Sequence, residues 1–94
     1  MSADLARRGR LELPGWRIEG EEIVGRWRFP DFSAALGAAV KVGGLADRAN
    51  HHPELRIAWG LLEVRLTTHS ANALTERDLD LAAAIQAELD PPRA

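Results

Sequence analysis

The apolar positions of this chain repeat with two different periods, and each period predicts a different element. From Glu22 to Phe29 the period is two. Ile23, Gly25, Trp27 and Phe29 share one face, and Val24, Arg26 and Arg28 the other, the pattern of a half-buried strand. The same alternation returns downstream. Leu55, Ile57 and Trp59 alternate with Arg56, Ala58 and Gly60, and Leu62, Val64, Leu66 and Thr68 with Glu63, Arg65, Thr67 and His69. Gly60 between these runs predicts a hairpin turn. Trp16 to Ile18 predicts a further short strand between two turns, Pro14-Gly15 and Glu19-Gly20-Glu21.

Three segments read as helices. Residues 2–13 form a short one anchored by Leu5, Leu11 and Leu13, with Gly9 weakening it. After Pro30, Asp31 is a natural N-cap. Phe32, Leu36, Ala39, Gly43, Ala46 and Asn50 then recur at 4-3-4-3-4 spacing, one face of a helix. Gly43-Gly44 costs this helix about 1 kcal/mol per glycine and predicts a close approach or a kink. The helix should end at or before His51-His52-Pro53, because the residue before proline avoids helical dihedrals. Thr75-Glu76-Arg77-Asp78 has the form of a capping box, with Leu74 and Leu79 as its hydrophobic staple. Leu79, Ala82, Ile85 and Leu89 make the apolar stripe of the last helix, and Pro91-Pro92 ends it. The order is α-β-β-α-β-β-α. Hairpins imply an antiparallel sheet, and amphipathic helices imply cover over one of its faces. The fold class is α+β, a two-layer, four-stranded antiparallel sheet with helices on one face, in a single domain over 1–94.

Composition narrows the function. The chain has 94 residues, 46% hydrophobic and 28% charged, with a net charge of −2. That balance offers no general attraction to nucleic acid or to an anionic membrane. The absence of cysteine excludes a disulfide framework and thiolate zinc sites and suits a reducing compartment. No segment reaches the roughly 18 apolar residues of a membrane span, and the first residues lack the apolar run of a signal peptide. The reading is a soluble cytoplasmic protein.

All three histidines fall in two short segments, Asn50-His51-His52-Pro53 and Thr67-Thr68-His69. The sixteen residues between His52 and His69 are the second hairpin, whose two ends can meet. Imidazole is the side chain that most readily exchanges protons near neutrality. Asp47 lies one helical turn before His51 and could reach it. Asp78 is close in sequence to the same loop, and Trp16, Trp27 and Trp59 offer flat surfaces for a planar heterocycle. Plainer readings stand beside these. The histidine pair could serve a helix end as cations, and His69 could be incidental. Asp78 could be a capping residue, and Asp47 a solvated partner of Arg48 or Lys41. The tryptophans could be core. A metal site needs adjacent histidines on one ion, which is rare, and the spacing fits no standard zinc signature.

Together these residues resemble the pterin-4a-carbinolamine dehydratases. The shared pattern is an acidic residue, His-His-Pro, an aromatic, a third histidine and a downstream Asp: Asp47, His51-His52-Pro53, Trp59, His69 and Asp78 here. Leu13-Pro14-Gly15-Trp16, Trp27-Arg28-Phe29-Pro30-Asp31-Phe32 and Leu74-Thr75-Glu76-Arg77-Asp78 extend the likeness. Asp47 stands where Glu is more usual, and Asn50 where Asp often precedes the histidines. The resemblance implies a lyase that dehydrates a 4a-hydroxytetrahydropterin and recycles the pterin cofactor of aromatic amino acid hydroxylases, with no cofactor or metal of its own. It implies His51 and His69 as the proton-transfer pair, His52 as the residue that binds and orients the pterin, and Asp47 as the group that tunes His51. Asn50, Pro53, Asp78 and Trp16 are then supporting residues at the pocket. It further implies a homodimer or homotetramer and leaves an aromatic amino acid hydroxylase as a candidate partner. The competing reading is a dehydratase-like binding protein that serves as a dimerisation cofactor or assembly factor.

Overall fold

The computed structural model describes residues 1–90. Its elements are α1 (Ala3–Glu12), β1 (Arg17–Glu19), β2 (Glu22–Arg28), α2 (Phe32–Ala49), β3 (Glu54–Ala58), β4 (Leu61–Leu66) and α3 (Glu76–Leu89). This is the order read from the sequence. The strands pair antiparallel in the order β1-β2-β4-β3. Pro91-Pro92, the expected stop of α3, lies outside the described residues.

Register follows the alternation. Ile23 pairs with Leu66, Gly25 with Val64 and Trp27 with Leu62. These inward residues join Val42 and Ala46 of α2 and Leu79, Ala82 and Ile85 of α3 in one buried cluster. Trp16 and Trp27 pack edge to face within it, ring centroids 5.2 Å apart. Gly25 makes that pairing fit. A Cβ there would lie 2.6 Å from the Trp27 ring and 2.9 Å from the Trp16 ring. Gly25→Ala should therefore cost about 1–3 kcal/mol by overpacking. Urea unfolding should show a lower midpoint at an unchanged slope.

The other face of the sheet is covered by its own charges. Glu63 is buried between Arg26 (2.6 Å) and Arg65 (2.9 Å), and Arg65 also reaches Glu19 and Glu22. Burial pushes the Glu63 carboxyl up, but the Arg65 and Arg26 guanidiniums outweigh this and hold it below the ordinary carboxylate range. A carboxyl lowered in the folded state stabilises above its unfolded pKa, and that stability is lost as pH falls through the folded value. Thermal stability should fall as the pH drops below about 4.5, and Glu63→Gln should flatten that fall.

Three details differ from the sequence reading. The buried stripe of α2 is Ala35, Ala38, Ala39, Val42 and Ala46, while Phe32 and Leu36 stay 45% and 44% exposed. A Cβ at Gly43 or Gly44 would meet nothing within 4 Å, so neither marks a close approach. In α1, Gly9 is buried and Leu11 is exposed, while Leu13, just past the end of the helix, is buried. A Cβ on Gly9 would contact Ile18 and Leu79, so the close approach is here.

Candidate active site

Two chain turns meet at one end of the sheet. Helix α2, capped at its start by Asp31 through the Ala34 amide (2.8 Å), ends at Asn50, which adopts the left-handed conformation (φ 48°). Asparagine tolerates that region better than most non-glycine residues. The Asn50 amide bonds back to the Ala46 and Asp47 carbonyls, and the His51 amide to the Ala46 carbonyl. This is the hydrogen-bond pattern of a Schellman ending. It swings His51 off the helix surface and into the protein, where it is 8% exposed. On the other side, Thr68 pairs with Ala73 and closes a loop that holds a 3-10 turn, His69–Ala71, and left-handed Asn72. The last rung of the hairpin at this end pairs Glu54 with Arg65. His51–Pro53 and Thr67–His69 therefore leave the sheet at the same end.

Asp78 joins these turns. It is fully buried, and its carboxylate faces three donors. Oδ2 accepts the Thr75 amide (2.9 Å) and the Thr68 hydroxyl (2.8 Å), and Oδ1 lies 2.5 Å from His51 Nε2. The Thr68 hydroxyl has one proton and gives it to Asp78, so the Thr75 hydroxyl donates to Thr68 across 2.6 Å. Asp78 is thus both the capping residue of α3 and the partner of His51. An ionised carboxylate only accepts, so His51 Nε2 carries the hydrogen. That assigns the tautomer and leaves Nδ1 as the imidazole's exchangeable position. Nδ1 has no protein partner among the described residues, and it is not among the buried atoms left without one, so it reaches solvent.

The other expected site residues fall as follows. Asp47 does not reach His51. It accepts from His52 Nε2 (2.9 Å), and both side chains are exposed. The helical spacing that would join Asp47 to His51 is broken by the left-handed Asn50. The Asn50 carbonyl accepts from Arg77 (2.9 Å), and Pro53 is half-buried. His69 is exposed at the start of the 3-10 turn, one residue beyond the end of the Thr68–Asp78–His51 chain. Beside His51 lies a cavity of about 420 Å³ walled by α2 and α3. Leu45, Ala49, Leu81 and Ala84 make it apolar, and Arg48, Arg77 and Asp80 line it with His51. His52 and His69 are not part of that wall. Trp16, expected to border the pocket, is instead core, its indole N–H bonded to Gln86 (2.9 Å). Trp27 is also core, and Trp59 stands 74% exposed. Among the described residues, no three histidines or carboxylates gather as a metal site.

Thr68 was given no role at the site by the sequence, although it continues the inward positions of β4 two residues past the strand's end, next to His69. A polar residue at such a position needs a partner, and Asp78 supplies it.

Over residues 1–88 the sequence matches the family model described as pterin 4 alpha carbinolamine dehydratase. The chain belongs to the pterin-4a-carbinolamine dehydratase family. A relative from Natronomonas pharaonis, named "Putative pterin-4-alpha-carbinolamine dehydratase", is 47% identical over 78% of this chain and 80% of its own length. One of the same name from Haloarcula marismortui is 49% identical over 71% and 73%. The crystal structure of a transcriptional coactivator/pterin dehydratase from Brucella melitensis superposes with a TM-score of 0.86 at 31% identity, covering 95% of this chain and 97% of that one. A pterin dehydratase-like RuBisCO assembly factor of the alpha-carboxysome superposes at 0.68 with 16% identity over 84% and 94%. At that identity the likeness is one of fold alone. Among the described residues of this dehydratase-family chain, no helix is long and apolar enough to cross a membrane.

Proposed function

We propose that this protein is a hydro-lyase that dehydrates a 4a-hydroxytetrahydropterin to the quinonoid dihydropterin and water. The observation that carries this is the buried His51, held by Asp78, in the wall of a small-molecule-sized cavity, in a chain of this family. The reaction is a balanced proton transfer. The C4a hydroxyl takes a proton and leaves as water, N5 gives up its proton, and a C4a=N5 double bond forms. One imidazolium as acid and one neutral imidazole as base are sufficient, and such help is worth roughly 10²–10⁴-fold.

His51 and His69 are the proton carriers in this reading. His52, oriented by Asp47, binds the pterin. Asp78 and Asn50 position His51, and Pro53 leads the chain from the histidine pair into β3. The quinonoid product is two electrons short of the tetrahydropterin, so a separate reductase would have to reduce it before an aromatic amino acid hydroxylase could use it as cofactor again. The same reading carries a cytoplasmic location and a homodimer or homotetramer, on the strength of the family resemblance. The test is to generate the 4a-hydroxypterin with a hydroxylase and follow its dehydration by ultraviolet absorbance. The rate should rise in proportion to added protein. A rate no different from the spontaneous one would falsify the proposal.

A further inference from the structure

The cavity beside His51 carries a charge pattern for which the dehydration itself has no use. Arg48 comes from the last turn of α2 and Arg77 from the first turn of α3, and both line the same hollow. Among the described residues neither is paired with a carboxylate. Arg77 donates to the Asn50 carbonyl (2.9 Å), a neutral partner that fixes the side chain without cancelling its charge. The one carboxylate on the wall, Asp80, is taken by Arg8 at 2.9 Å. Asp47, on the same turn of α2 as Arg48, accepts from His52. Positive charge therefore remains uncompensated over an apolar wall of Leu45 and Leu81, in a chain whose net charge is −2.

Resting on the dehydratase reading, we propose that the substrate is a pterin whose side chain ends in a phosphate ester, clamped by Arg48 and Arg77. The volume, about 420 Å³, lies in the range of small-molecule pockets. Guanidinium forks match phosphate oxygens with paired, charge-assisted hydrogen bonds. The two forks select the phosphate end of the tail.

The test uses calorimetry with two stable 7,8-dihydropterins, one with a neutral trihydroxypropyl side chain and one with its terminal monophosphate. The monophosphate should bind about tenfold tighter or better, and the preference should shrink as salt is raised. Arg48→Gln should pull the affinity ratio toward one, and Arg48→Glu below it. Arg48 is exposed, so neither change threatens the fold. Inorganic phosphate should remove the preference while leaving the affinity of the neutral ligand unchanged. Equal affinities in wild-type protein, a ratio unmoved by Arg48→Gln, or equal weakening of both ligands by phosphate overturns the clamp. The dehydration assay, run on both the neutral 4a-hydroxypterin and its monophosphate, separates the two readings. Activity without phosphate preference sinks the clamp alone, and phosphate preference in an inert protein sinks the dehydratase alone.

Discussion

Replacing His51 by glutamine should slow the catalysed dehydration by about 10²–10⁴-fold and leave the protein folded. The choice of glutamine matters. His51 is buried, and its Nε2 satisfies one oxygen of a fully buried carboxylate. Alanine would remove the donor and strand that oxygen, at a cost of about 1–3 kcal/mol. Rate and stability would then fall together. Glutamine carries an amide N–H that can replace the donor, but it has no group that exchanges protons near neutrality. The check pairs the absorbance assay with a thermal melt of the same sample. A melt close to wild type with a large rate loss identifies His51 as a proton carrier. Full activity in both His51→Gln and His69→Ala would show that the protons travel by another route. His52, exposed and held by Asp47, should differ in kind: His52→Ala should act mainly on KM.

Most of the architecture was legible because its signals are local. Period-two runs placed β2, β3 and β4, and a threonine followed three residues later by an aspartate marked the start of α3. The face of α2 was not legible. Its sequence is apolar almost all round, so two stripes compete, and the pattern favours the one with the larger residues. The sheet instead takes the alanine stripe, because small side chains let the helix pack close. Phe32, Leu36 and Val40 are left exposed.

At the candidate site, His51 and Asp78 were legible as residues of interest and their pairing was not. Asp47 and His51 are neighbours only if the helix runs on through residue 51. A single left-handed residue, Asn50, ends it one position earlier, turns His51 inward to Asp78 and leaves Asp47 to His52. The capping role of Asp78 does not exclude a contact with His51, since one oxygen meets the Thr75 amide and the Thr68 hydroxyl and the other meets His51. The two arginines of the cavity carried no signal in the sequence, because charged residues on helices are ordinarily solvated.

Asp78→Ala should destabilise the protein by about 3–5 kcal/mol, a large share of the 5–15 kcal/mol typical of a small domain. Truncation strands the Thr75 amide, the Thr68 hydroxyl and the His51 Nε2–H together. Urea unfolding would measure the loss, and a change within 1 kcal/mol would mean that the three donors find other partners. Asp78→Asn separates support of the fold from positioning of the imidazole. The amide keeps the volume, one acceptor oxygen for the Thr68 and Thr75 donors, and an N–H₂ that can face His51. To accept that N–H, the imidazole must shift its hydrogen from Nε2 to Nδ1. The neutral base then presents the wrong atom to the substrate. Asp78→Asn should therefore unfold later than Asp78→Ala and yet lose about 10²-fold or more of the rate. A variant that keeps both its stability and its rate would show that the tautomer of His51 does not govern the reaction.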